Sequence, residues 1–300
     1  MGCIFGLAIG DAVGTTLEFK ERGTFEPITD MVGGGPFYLE PGEWTDDTSM
    51  TLCLAQSLIV CAGFDAKDQL DKYVKWYKTG YFSSNDVCFD IGDQTRKILD
   101  EYIRTDDEVN SAYVLSARLP NGSLSSGNGS LMRIAPIALY YLSDTKSALK
   151  YAMRSSLTTH ASVDCIDCCT IFVELLLLAL SCIDKATIVN YPRLKIIGAN
   201  KINSRITDIK STGYVKDSIS AAIWCFNQTE NYKDAILLAA NLGGDADTIA
   251  SITGQLAGAY YGFDSIPIEW RNRIAKYELL ESIAKQLYHG NKKRVNAKYK

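Results

Sequence analysis

Three hundred residues can fill one large domain or two average ones, and 47% hydrophobic against 22% charged residues excludes disorder as a description of the whole chain. With 31 Lys and Arg against 35 Asp and Glu, the net charge of -4 offers no general attraction to a nucleic-acid backbone or an anionic membrane. The opening MGCIFGLAIGD lacks the basic stretch and cleavage site of a secretory signal, and Gly6 stands where an acylation signal needs Ser or Thr. Gly6, Gly10 and Gly14 recur every four residues, which puts three positions without side chains on one helix face where another backbone can approach. Glu18 follows one turn later, and spacing alone leaves it either a surface carboxylate at a helix end or a functional acid.

Apolar residues then recur at helical spacing over 48–61, 70–76, 93–103, 134–141, 164–183, 215–226, 232–240, 248–261 and 278–287. Alternating, strand-like runs are scarce. Pro36, Pro41, Pro120 and Pro267 stand where helices start or stop. The most apolar stretch, IFVELLLLALSCI at 171–183, contains Glu174 and falls short of the ~20 residues that cross a bilayer, so it reads as a buried core helix. No repeat, and no turn-rich stretch longer than 121–130, divides the chain. The pattern predicts one all-α domain over 1–290, followed by a basic tail at 291–300 (NKKRVNAKYK) expected to be frayed and solvated.

Two acid clusters stand at predicted helix starts. Thr45-Asp46-Asp47-Thr48 follows Pro41-Gly42, and Asp245-Ala246-Asp247-Thr248 follows Gly243-Gly244. Asp and Thr cap helices, and a first-turn carboxylate gains ~0.3–1 kcal/mol from the helix dipole. One cap needs one such residue, however, and two like charges buried together repel. A divalent cation would resolve the conflict, and oxygen-only ligands select a hard ion over zinc. Caps and a metal centre both remain open on spacing alone.

Nine Cys, an odd number spread from Cys3 to Cys225, fit reduced thiols in a cytoplasmic protein. Cys165-x-x-Cys168-Cys169 has ligand-like spacing, but no second CxxC or His pair completes a zinc site, so thiols packed on an apolar helix are expected. Of the two His residues, His160 and His289, only His160 lies in the interior of the pattern, and no nucleophile motif accompanies it. It reads as a ligand contact or a helix-end residue. The Gly-rich turn from Ser126-Gly127-Asn128-Gly129-Ser130 into Leu131-Met132-Arg133 can present backbone N–H groups to a phosphate, yet it is neither a Walker A sequence nor a strand-bounded dinucleotide fingerprint.

Together these segments resemble the ADP-ribosylglycohydrolase family. The matching stretches are GLAIGDAVGTTLEF at 6–19, WTDDTSMTLCL at 44–54, FDIGDQTR at 89–96, GNGSLMRIAP at 127–136, Thr159-His160, GYVKDSISAAIWCF at 213–226 and AANLGGDADTIASITGQLAGAYYG at 239–262. They occur in the family's order and span most of the chain.

The resemblance implies an all-α fold with a central two-metal site for Mg2+ or Mn2+. It also implies hydrolysis of the bond between ADP-ribose and an acceptor, on an ADP-ribosylated protein (arginine or serine) or a small ADP-ribose conjugate. Residue by residue, the implied metal ligands are Thr45, Asp46, Asp47, Asp245, Asp247 and Thr248. The implied substrate-binding residues are Gly127, Asn128, Gly129, Ser130 and Met132, with His160 and Tyr214 flanking the nucleotide and Gly243 and Gly244 beside it. Glu18 and Asp90 are the implied catalytic carboxylates, with no choice between them. Nucleic acid enters only as a modified substrate, a membrane not at all, and a monomer is expected because no heptad pattern is present. A catalytically silent nucleotide-binding relative is the alternative, with a metal-dependent phosphohydrolase ranked last.

Overall fold

The computed structural model describes residues 1–106 and 126–298, with side chains as far as residue 290. Pro120 and the 121–125 part of the turn-rich stretch lie outside the described residues. In chain order the helices are α1 (Gly2–Gly14), α2 (Asp46–Val60), α3 (Ala66–Thr79), α4 (Asp93–Thr105), α5 (Ala135–Tyr140), α6 (Thr145–Leu157), α7 (Val163–Leu180), α8 (Lys185–Val189), α9 (Val215–Gln228), α10 (Tyr232–Ala240), α11 (Ala246–Tyr261), α12 (Ile268–Arg273) and α13 (Tyr277–Lys298). Among the described residues there is no strand, only two isolated bridges, Gly34 to Leu39 and Gly127 to Tyr214. The architecture is all-α, as the periodicity predicts.

One helix pair organises the rest. Every residue of α1 from Cys3 to Gly14 is buried, and Asp11 is its one charged side chain. The glycine stripe extends back to Gly2, so that Gly2, Gly6, Gly10 and Gly14 face Gly258, Gly254, Ala250 and Ala246 of α11. A methyl group built on Gly6 would fall on the Gly254 carbonyl, and one built on Gly254 would fall on the Gly6 carbonyl. The helices therefore run antiparallel with their backbones in contact, which only residues this small permit. As a consequence the end of α1 and the start of α11 emerge side by side, carrying Glu18 and the Asp245–Asp247 cluster to the same place.

α9 and α10 pack on α11, α7 lies against α9 and α11, and α2 is held between α3, α5 and α13. The stretch expected as a core helix is α7, with Ile171, Phe172, Val173, Leu175 and Leu176 fully buried and Glu174 paired to Arg193 at 2.7 Å. No helix among the described residues is long and apolar enough to cross a membrane. Cys165, Cys168 and Cys169 are buried on α7, and all nine cysteines are free thiols.

Three helices are absent from the predicted set. α6 buries Ala148, Ala152, Ser155 and Ser156, a stripe of helical spacing made of residues too small or too polar to register as hydrophobic. α8 and α12, of 5 and 6 residues, are shorter than the period can reveal. At the other end, α13 continues through Lys298, so most of the segment expected to fray has a helical backbone.

Candidate active site

The start of α2 is capped from outside. Thr45, at the N-cap position, makes no side-chain cap bond. Instead Asp11 reaches across from α1: its Oδ1 accepts from Thr45 N at 2.9 Å and Thr45 Oγ1 at 2.9 Å, and its Oδ2 accepts from Thr48 N at 3.0 Å and Thr48 Oγ1 at 2.7 Å. A fully buried carboxylate thus satisfies two of the orphan N–H groups that every helix start leaves. Burial pushes Asp11 up to about 6, held there by these four bonds. Asp46 and Asp47 are released from any capping duty.

The start of α11 behaves in the same way. Asp245 stands at the N-cap without a side-chain cap bond, and its Oδ2 accepts from Asn128 Nδ2 at 2.5 Å. Asp247 follows within the first turn, 2% exposed, and Thr248 Oγ1 lies 3.4 Å from Asp47 Oδ2. Thr45 Oγ1 lies 3.4 Å from Asp247 Oδ2, so the two clusters interlock across 202 residues of chain. Capping, one of the two readings open at the sequence level, accounts for neither cluster.

The carboxylates are packed more tightly than like charges tolerate. One oxygen from each of Asp46, Asp47 and Asp247 lies within 4.8 Å of the others, and the same holds for Glu18, Asp90 and Asp247. Asp47 Oδ1 and Asp247 Oδ1 are buried with no hydrogen-bond partner among the described residues. Burial first, then neighbouring carboxylates, pushes Asp46, Asp47 and Asp247 well above the ordinary range. Glu18 is pushed up to about 10 by burial and then by Asp90, and Asp90 to about 8 by burial and then by Asp11. No Lys or Arg lines the adjoining cavity among the described residues. Protons or a cation must neutralise such a group, and clustered carboxylates with unpartnered buried oxygens fit a hard divalent ion. Two helix N-termini pointing at the same spot favour the carboxylates' charge without cancelling it.

The cavity measures about 640 Å3, the size of a nucleotide-scale ligand site. Glu18, Asp46, Asp90, Asp245, Asp247 and Thr248 form its acidic end. Gly127, Asn128, Gly129, Met132 and His160 line it towards the Gly-rich loop, and Gly244 and Ser211 close another side. Asn128 joins the two ends, since Nδ2 donates both to Asp245 and, at 2.8 Å, to Ser218 Oγ. Asp90 is held on a left-handed backbone, φ 55°, an uncommon conformation for Asp in the segment leading into α4.

Most of the residues singled out from sequence meet here, but three take other positions. Ser130 turns its hydroxyl into the core, where it accepts from Ser156 at 2.9 Å. Tyr214 stands outside the cavity lining: its hydroxyl donates to Asp164 at 2.7 Å, and its bridge to Gly127 clips the Gly-rich loop in place. Gly243 likewise serves the turn, φ 66°, while Gly244 reaches the lining. Sequence reasoning passed over Asp11, Arg133 and Phe19. A lone Asp in an otherwise apolar helix is a sufficient signal for Asp11, because an unpaired carboxylate there would be prohibitive. Arg133 is fully buried behind the loop, and Phe19, 69% exposed with φ 61°, lines the cavity beside Glu18.

Fold and site define the class: an all-helical domain with an acid-lined cavity opening between two helix N-termini beside a Gly-rich loop. The chain belongs to the ADP-ribosylglycohydrolase family, whose model matches residues 1–296. It is 41% identical over 294 residues to the ADP-ribosylarginine hydrolase Tri1 of Pseudomonas putida, covering 96% of this chain and 77% of that protein. It is 28% identical over 295 residues to the ADP-ribosyl-[dinitrogen reductase] glycohydrolase of Rhodospirillum rubrum, covering 91% and 89%. A solved structure described as an ADP-ribosylglycohydrolase-related protein complex superposes with a TM-score of 0.80 at 35% identity, covering 97% of this chain and 96% of the other. Hydrolysis of ADP-ribose conjugates is the activity that family and relatives support.

Proposed function

We propose that this hydrolase removes ADP-ribose from arginine side chains of modified proteins, with two divalent cations, Mg2+ or Mn2+, at its acidic centre. The observation that carries the reading is the pair of unpartnered oxygens, Asp47 Oδ1 and Asp247 Oδ1, buried where two helix starts meet, with Asp46 and Asp247 lining the cavity beside them. The arginine acceptor is supported by the 41% identical relative, itself named an ADP-ribosylarginine hydrolase. A monomer in the cytoplasm completes the reading, in keeping with nine free cysteines.

Thr45, Asp46, Asp47, Asp245, Asp247 and Thr248 would hold the cations, and Asp247 is common to both three-carboxylate groups. When bound, divalent cations supply charge neutralisation, a hold on ribose hydroxyls and a lower pKa for water. Asp90, pushed up towards neutrality, is suited to take the proton of the attacking water. Glu18, grouped with Asp90 and Asp247, would ionise once cations neutralise the neighbouring carboxylates that raise it, and would then offset the positive charge that develops on the ribose as the bond from C1″ to the guanidine nitrogen lengthens. Water adds to C1″, the guanidine leaves with a proton, and ADP-ribose and unmodified arginine are the products. The Gly127–Ser130 turn and His160 are left to hold the diphosphate.

The test is release of ADP-ribose from an arginine-linked substrate, followed with Mg2+ or Mn2+, after chelation, and in Asp247→Asn. Metal-dependent release that both treatments abolish is expected. Full activity in chelator, or release from serine-linked but not arginine-linked substrate, would refute the respective halves of the proposal.

A further inference from the structure

Arg133 is fully buried and forms no ion pair among the described residues. Its guanidinium lies 4.6 Å from the Tyr73 ring centroid and donates from Nη2 to Thr159 Oγ1 at 2.6 Å, with Thr158 Oγ1 further off at 3.4 Å. Among the described residues Thr159 Oγ1 has one other partner, His160 Nδ1 at 2.8 Å. Guanidinium only donates, so Thr159 must accept from it. The buried hydroxyl then has a single proton to place and one partner left to receive it, His160 Nδ1. Any other arrangement leaves that proton without an acceptor.

Nδ1 is therefore the acceptor nitrogen of the imidazole, and the ring proton sits on Nε2. Among the described residues that nitrogen has no hydrogen-bond partner; a methyl group built on Gly127 would meet it at 3.4 Å, and one built on Gly129 at 3.2 Å, so two glycines keep its approach clear. The ring is 2% exposed and lines the cavity. Burial first, and then the Arg133 charge, pushes His160 down to about 3, so the imidazole stays neutral. A neutral N–H donor backed by a buried cation without a counter-ion suits an oxygen that only accepts and carries negative charge.

We propose that Arg133 and Thr159 are positioning residues that fix His160 as a permanent Nε2–H donor to a diphosphate oxygen of the ADP-ribose moiety. The ligand half of this rests on the function proposed above, while the relay itself does not.

The experiment is long-range 1H–15N correlation NMR of the ligand-free protein, with His289→Gln to assign the remaining imidazole, together with calorimetric titration of ADP-ribose. The Nε2–H tautomer is expected throughout pH 5–8. Thr159→Val should yield mixed tautomers, with ADP-ribose affinity weakened about tenfold and KM raised more than kcat falls. Thr159→Ser should restore all three. An Nδ1–H tautomer or an imidazolium in the wild-type protein near neutral pH overturns the relay, as does an unchanged tautomer in Thr159→Val. A correct tautomer in a wild-type protein that does not bind ADP-ribose overturns the ligand assignment instead.

Discussion

Asp11 and Asp47 are both fully buried carboxylates near the start of α2, yet they live differently. Each oxygen of Asp11 accepts two hydrogen bonds, and the group locks α1 to α2. Asp47 keeps one oxygen with no partner among the described residues, and the group lies in a cluster with Asp46 and Asp247. The difference separates a structural acid from a functional one more sharply than burial or charge does. A satisfied carboxylate stabilises the fold that holds it, whereas an unsatisfied one costs stability until a ligand arrives.

The most severe way to probe the contrast is to neutralise the open side. Asp247→Asn is expected to lower hydrolysis by roughly 10³-fold, because it serves both three-carboxylate groups, while the metal-free protein melts no lower than wild type. Asp11→Ala should do the reverse in kind. It strands two backbone donors and should cost about 3 kcal/mol of unfolding free energy in urea titrations. Should Asp247→Asn destabilise as much as Asp11→Ala, the contrast fails.

A gentler probe uses pH. Asp90, raised to about 8 in the fold, contributes stability that is complete below its ordinary pKa of about 4 and is lost as pH rises through 8. The metal-free protein should accordingly melt at lower temperature as pH rises from 5 to 9. The gain in melting temperature on adding Mn2+ should grow over the same range, since ligand carboxylates must be deprotonated. Calorimetric scans with and without Mn2+ check both. The smallest effect concerns His160: pushed down to about 3, it should leave no inflection between pH 5 and 8 in the pH profile of hydrolysis, and none should disappear in His160→Gln.

Much of this contrast was legible in the residues. Doubled acids at two helix starts, Asp46-Asp47 and Asp245-x-Asp247, exceed what capping uses, and the four-residue glycine spacing foretold the close helix contact that sets the end of α1 beside the start of α11. What could not be read is which acid is satisfied by what. Asp11 and Thr45 are 34 residues apart, Thr45 and Asp247 202 apart, and no local pattern encodes such pairings. The same limit hid Arg133 and the partners of the Ser130 and Tyr214 hydroxyls, Ser156 and Asp164. α6 escaped because Ala and Ser form its buried face.

The measurement closest to the central claim is calorimetric titration of Mn2+ into the metal-free protein near neutral pH, with Asp47→Asn/Asp247→Asn as partner. The wild-type protein should bind the ion, and the double variant, still folded by its melting curve, should not. Absence of binding to wild type, or equal binding by both, would contradict the reading of the open carboxylates as a cation site.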